Sequence, residues 1–198
     1  MSRGSFFVAA VAIVLSLLGQ RADATTDLFT FTSSPQSWVG HGLSQTFTPE
    51  RGSTITASRY FDQGAFANAI RFNMSDSVYG SYDLEMVGVD GEFPTVGTYP
   101  GATRWPFNGG EPGLNFSGNG RGNNTLTGHF TVKESVLDAS GNVLAFAADF
   151  TQYDEGNLNW WNTGSIYYHS SIPEPSTALT LATAGAAMLV RRRRRRAA

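Results

Sequence analysis

The sequence predicts an all-β body, an antiparallel β-sandwich or barrel of roughly seven to nine strands. Three observations predict it. Short runs alternate apolar and polar residues with a period of two, the mark of a strand with one buried face. Glycine, asparagine and aspartate separate these runs, and 22 glycines in 198 residues suit many tight turns. No long helical periodicity runs through the middle of the chain.

In chain order, residues 1–24 read as a secretory signal peptide. Arg3 supplies a positive start, residues 6–18 an uncharged apolar core, and Ala22-Asp23-Ala24 a small-x-small cleavage site after Ala24. The body, 25–171, opens with strands at 29–32, 45–48 and 54–60. A loop at Asp62-Gln63-Gly64 leads to a strand at 69–74, with Ile70, Phe72 and Met74 on one face. At 81–89, Tyr82, Leu84 and Met86 share a face, with Asp83 and Glu85 opposite. Residues 99–122 hold Pro100, Gly101, Pro106, Pro112 and six further glycines, and read as a long loop with a short strand at 114–116. The clearest unit is a long hairpin. Phe130, Val132 and Val136 line one face of 127–136, and Leu144, Phe146, Ala148 and Phe150 one face of 142–152, around a turn at Asp138-Ala139-Ser140-Gly141. A last strand spans 164–169.

Charge narrows the function. Between residues 25 and 172 there are six basic side chains and fourteen acids, a net charge near −8, although the whole chain carries −2. That sign argues against nucleic acid and anionic membranes as partners of the body. The absence of cysteine excludes thiol catalysis, cysteine–zinc sites and iron–sulfur clusters. His41, His129 and His169 have no metal-ligand spacing, no Gly-x-Ser-x-Gly elbow occurs, and no cofactor is expected. Acid pairs such as Asp83/Glu85, Asp90/Glu92 and Asp154/Glu155 have the residue types of glycosidic chemistry, but alternation or turn placement accounts for each as solvated charge. Oxygen ligands at 138–142 and 154–157 match no calcium loop and suit turns. Trp160, Trp161 and Trp105, with Trp38 and Tyr167-Tyr168, are the candidate glycan-binding aromatics, because sugar faces stack on rings. Tryptophan more commonly packs in cores, so the aromatic platform and the core reading stand side by side.

The tail carries the strongest signal. Pro173, Glu174, Pro175 and Ser176 precede 14 uncharged residues, 177–190, and then Arg191, Arg192, Arg193, Arg194, Arg195 and Arg196. As a helix, the uncharged stretch spans about 21 Å against a bilayer core of about 30 Å. It reads as a short transmembrane helix that anchors weakly or transiently. Arginines directly after an apolar stretch mark the cytoplasmic side as a membrane stop. A nucleic-acid-binding tail is the lesser reading.

This tail resembles the PEP-CTERM sorting signal of bacteria that make an extracellular polysaccharide matrix, also catalogued as an ice-binding-protein C-terminal domain. The resemblance covers about residues 172–196 of a tail unit that spans 172–198. It implies processing by an exosortase near the Pro-Glu-Pro, after export by the Sec translocon and signal peptidase. The implied route is export through the inner membrane, transient anchoring there, then the cell surface or the extracellular matrix. Ice binding itself would need a flat, regular threonine array, and threonines are scattered along the sequence.

The body resembles an exported bacterial β module without an assigned activity. The likeness rests on Trp38-Val39-Gly40-His41-Gly42, Gly97-Thr98-Tyr99, Pro112-Gly113-Leu114, the stretch from Phe116 to Gly122, and Phe146–Gln152 with Glu155-Gly156. The module usually has cysteines where this chain has Asn123 and Asp154. The resemblance therefore implies that residues 123 and 154 are neighbours that have lost a disulfide, at a cost of about 2–4 kcal/mol. Together these readings give a non-enzymatic structural or polysaccharide-associated binding module, with a secreted hydrolase as the alternative.

Overall fold

The computed structural model describes residues 25–60 and 68–172. The signal peptide, the loop at residues 62–64, the motif at 173–176, the apolar stretch 177–190 and the arginine block lie outside them. Among the described residues no helix is long and apolar enough to cross a membrane.

Ten strands form one sheet among these residues: β1 (Thr26–Ser33), β2 (Ser44–Phe47), β3 (Thr54–Arg59), β4 (Ile70–Asp76), β5 (Gly80–Val87), β6 (Gly97–Arg104), β7 (Gly113–Gly118), β8 (Leu126–Leu137), β9 (Val143–Asp154) and β10 (Trp161–Ser170). Their order is β2-β1-β10-β9-β8-β6-β7-β5-β4-β3. The two edge strands, β2 and β3, follow one another in the chain. Across that seam β1 touches β3 and β2 touches β4. The sheet therefore curls into a nearly closed, barrel-like form, which limits the unpaired edge that an open sheet exposes.

Two expectations need correction. Ten strands replace seven to nine, because residues 99–122 are not one long loop. The proline and glycine that read as breakers, Pro100 and Gly101, sit in β6 at a bulge between Tyr99 and Ala102, with Gly101 at φ 67°. A bulge leaves residues unpaired while the ladder resumes on either side. The pairing is also not wholly antiparallel. β6 and β7 run parallel over two residue pairs, Thr103–Gly113 and Arg104–Leu114. The connection between them is too short for the usual parallel crossover, so the contact ends there.

The core fills the curl. The alternation read in β4 and β5 holds: Ile70, Phe72, Met74, Tyr82, Leu84 and Met86 are all fully buried. Seven further phenylalanines are buried with them, and Phe29, Phe116 and Phe150 meet with ring centroids 5.3–6.1 Å apart. Rings at these separations bury large apolar area and add edge or offset contacts.

The long hairpin departs from simple alternation at two bulges. Register shifts lie between Val132 and Glu134 and between Val136 and Leu137. Phe130, Val132, Phe146, Ala148 and Phe150 face the core as expected. Past the first shift Val136 turns outward, 43% exposed, and Leu144 is 51% exposed at the second. One inserted residue moves every later side chain to the other face.

Candidate functional site

The inward face of β9 continues past Phe150 to Gln152 and Asp154, so the apolar core ends in a polar cluster at one mouth of the barrel. Asp154 is fully buried. Its Oδ1 accepts from Asn123 Nδ2 at 2.9 Å, Gln152 Nε2 at 3.1 Å and Asn162 Nδ2 at 2.8 Å. Its Oδ2 accepts from Ser37 Oγ at 2.8 Å and the Val39 N–H at 3.2 Å. Five neutral donors replace the water that burial removes. Residues 123 and 154 are thus in direct contact, as the resemblance to the exported module implied. Gln152 also clasps the backbone of Phe116 on β7, accepting its N–H at 2.7 Å and donating to its carbonyl at 2.9 Å.

Asp154 fixes what surrounds the mouth. Its two bonds to Ser37 and Val39 hold the segment after β1 over the opening and leave Trp38 between them 53% exposed. The Asp154 N–H donates to the Trp160 carbonyl at 2.8 Å, which sets the β9–β10 turn. Trp161 and Ser34 exchange bonds of 2.9 and 3.1 Å. Glu155 latches the same turn to Asn124 and Thr125. Trp38, Trp160 and Trp161 therefore share one rim, and the last two are half-buried. Trp105 is elsewhere. It is buried on the outer face of the sheet with Ala69, Val87 and Tyr60, a packing that withholds its ring from a ligand.

A groove of about 520 Å³ adjoins the rim on the outer face of β5 and β7. Asp83, Asn115 and Ser117 line its floor, and Arg104, Asn119 and Arg121 its sides. Asn119 and Gly120 turn with φ of 50° and 75°, a left-handed pair that suits asparagine and glycine. Asp83 is held by Arg71 at 2.9 Å and Asn73 at 2.8 Å. Arg121 donates to the Val39 carbonyl at 3.2 Å, so the groove is tied to the segment that carries Trp38. Arg104 donates to the Asn124 carbonyl at 3.1 Å and lies over the Phe107 ring.

Behind the groove floor, Asn115 donates to Glu85 at 2.9 Å, and Arg71 lies 3.6 Å from that carboxyl. Burial pushes Glu85 up from 4.5 to about 7, against the opposing pull of Asn115. Asp83 and Glu85 are thus not equivalent: one is ion-paired at the groove and the other is buried behind it.

The remaining candidates fall into other roles. Asp138 accepts from Ser140, Asn142 and the Asn142 amide at 2.8–2.9 Å, closing its own turn. His169 lies 3.1 Å from Asp27, whereas the His41 ring lies beside Trp38. Three threonines scattered in sequence do share a face: Thr32, Thr163 and Thr151 align in register across β1, β10 and β9, with Ser44 beside them on β2. The neighbouring row is interrupted by Asp149, ion-paired with Lys133 at 2.6 Å. The groove went unseen in the sequence because its walls come from strands and turns up to some forty residues apart. The run Asn115–Asn123 was the only local signal.

Comparison with known proteins adds the processing route. The family model of the PEP-CTERM protein-sorting motif matches residues 171–196. The chain carries a PEP-CTERM sorting motif. The motif implies an exosortase as processing partner, export, and transient membrane anchoring before release at the surface. No curated protein and no solved structure matches the chain.

Proposed function

We propose that the body of this PEP-CTERM protein is a polysaccharide-associated binding module of the cell surface or extracellular matrix. In this reading the Sec translocon and signal peptidase export it, and the exosortase frees it from the inner membrane. The observation that carries the reading is a polar groove on the outer wall tied through Arg121 to the Trp38 segment, on a rim that also bears Trp160 and Trp161. Sugars present apolar faces that stack on rings and hydroxyls that pair with amides and carboxylates. Asn115, Ser117, Asn119 and Asp83 offer those pairings, and Trp38, Trp160 and Trp161 offer the rings. A net charge near −8 on the body favours neutral over anionic chains.

The test is a glycan-array screen of the processed protein beside Trp160→Ala and Asn115→Ala. The reading predicts retention on a neutral glycan, and a loss of about tenfold or more in each variant, as expected for one lost contact of about 1.4 kcal/mol. Retention that neither variant alters, or none on any glycan, contradicts it. A secreted hydrolase is the second reading, drawn from the unlike carboxyls Asp83 and Glu85. It predicts turnover of a polysaccharide that Glu85→Gln abolishes, and turnover unaffected by that change removes it.

A further inference from the structure

The bulge in β8 has a consequence for processing. Under unbroken alternation, Glu134 would follow Phe130 and Val132 into the core, and the bulge at Lys133 prevents this. With the bulge, Glu134 pairs with Ala147 and faces outward. The register then runs Leu28 on β1, Tyr167 on β10, Ala147 on β9 and Glu134 on β8 in one row across the outer wall. Leu28, Ala147 and Tyr167 form a small apolar patch, and Ile172 packs on it. Bulges commonly re-aim one side chain in this way.

Glu134 grips the chain that arrives there. Its Oε2 accepts from Ser170 Oγ at 2.5 Å and the Ser171 N–H at 3.1 Å, and its Oε1 from Ser171 Oγ at 2.6 Å. The Ile172 N–H closes the turn on Ser170 Oγ at 3.1 Å. These hydrogen bonds hold the carboxyl below its ordinary value, although burial opposes them. Ser171 and Ile172 are the first two residues of the matched sorting motif. The motif therefore starts on the barrel wall with no spacer, and Pro173 is the next residue.

We propose that Glu134 is a restraint on exosortase processing, holding the upstream side of the sorting motif against the barrel so that cleavage requires its release. An enzyme that cuts a peptide bond engages an extended segment on both sides of it. Extended chain advances at most about 3.6 Å per residue, so a cut at the Pro-Glu-Pro falls within a few residues of the clamp. The enzyme cleft and the barrel wall then compete for Ser171 and Ile172. A substrate that reacts only from a minor released state is processed more slowly by the fraction released. The inference rests on the sorting motif and is independent of glycan binding.

The experiment follows conversion of the full-length protein to its processed form in cells that hold the exosortase. Three variants are compared: Glu134→Ala, a four-residue Gly-Ser insertion between Ile172 and Pro173, and the two combined. Each single variant is expected to be processed about tenfold faster, the factor that corresponds to 1.4 kcal/mol of holding energy. The combined variant is expected to match the insertion alone, because the spacer already frees the motif. The insertion leaves Glu134 and the barrel intact, so its effect does not depend on the fold tolerating Glu134→Ala. Wild-type rates in both single variants, or slower processing after the insertion, overturn the proposal.

Discussion

Asn123 and Asp154 make a side-chain contact where the resemblance of the body implies a lost disulfide. The contact at 2.9 Å was foreseen from two positions that depart from the resembling module together. The other four donors to Asp154 were not legible, because Ser37, Val39, Gln152 and Asn162 are brought together only by the sheet. Replacing both residues by cysteine is expected to give a disulfide in an oxidising buffer. The oxidised variant should be more stable than its reduced form by about 2–4 kcal/mol in urea denaturation; two thiols that stay free under oxidation would contradict the geometry. Glu85 makes a separate prediction. Its carboxyl is raised by burial from 4.5 to about 7 in the folded protein, so between those values the folded state binds more protons than the unfolded one. Its contribution to stability is then fully present below about pH 4.5 and is lost as pH rises through about 7, by ~2–4 kcal/mol at 1.36 kcal/mol per pKa unit. Glu85→Gln should flatten that limb of a stability–pH profile measured by urea unfolding, and an unchanged slope would show that another group sets it.

Period-two alternation located nine of the ten strands, and it failed where the ladder is irregular. β6 was hidden by Pro100 and Gly101, and the outward turn of Val136 and Leu144 by the two bulges of the long hairpin. A bulge has no period of its own, so sequence patterning extends the wrong face past it. Close strand packing was equally silent. At Gly164 in β10, an added Cβ would stand 2.2 Å from the Thr30 carbonyl oxygen and 2.8 Å from the Phe150 ring. Backbone cannot yield there without breaking the β1–β10 ladder. Gly164→Ala is therefore expected to lower stability by about 1–3 kcal/mol in thermal or urea unfolding, whereas Gly120→Ala meets nothing within 4 Å and reports only the strain of its φ. Equal and small effects at both positions would contradict the packing described for β10.

Taken whole, the molecule divides into a barrel that carries the proposed binding rim and a tail that carries an address. The address was legible because a motif, an apolar stretch and a basic block are contiguous in sequence. The rim was not, because Trp38, Asn123 and Trp160 come from three separate segments that Asp154 gathers. Export and exosortase processing unify the two halves, and one measurement addresses both ends of the chain: the intact mass of the protein recovered from the cell surface and the medium of the expressing bacterium. The account predicts a species that begins at Thr25 and ends at a cut within 170–176, without the apolar stretch or the arginines. A recovered species whose mass still includes Arg191–Arg196 would contradict it.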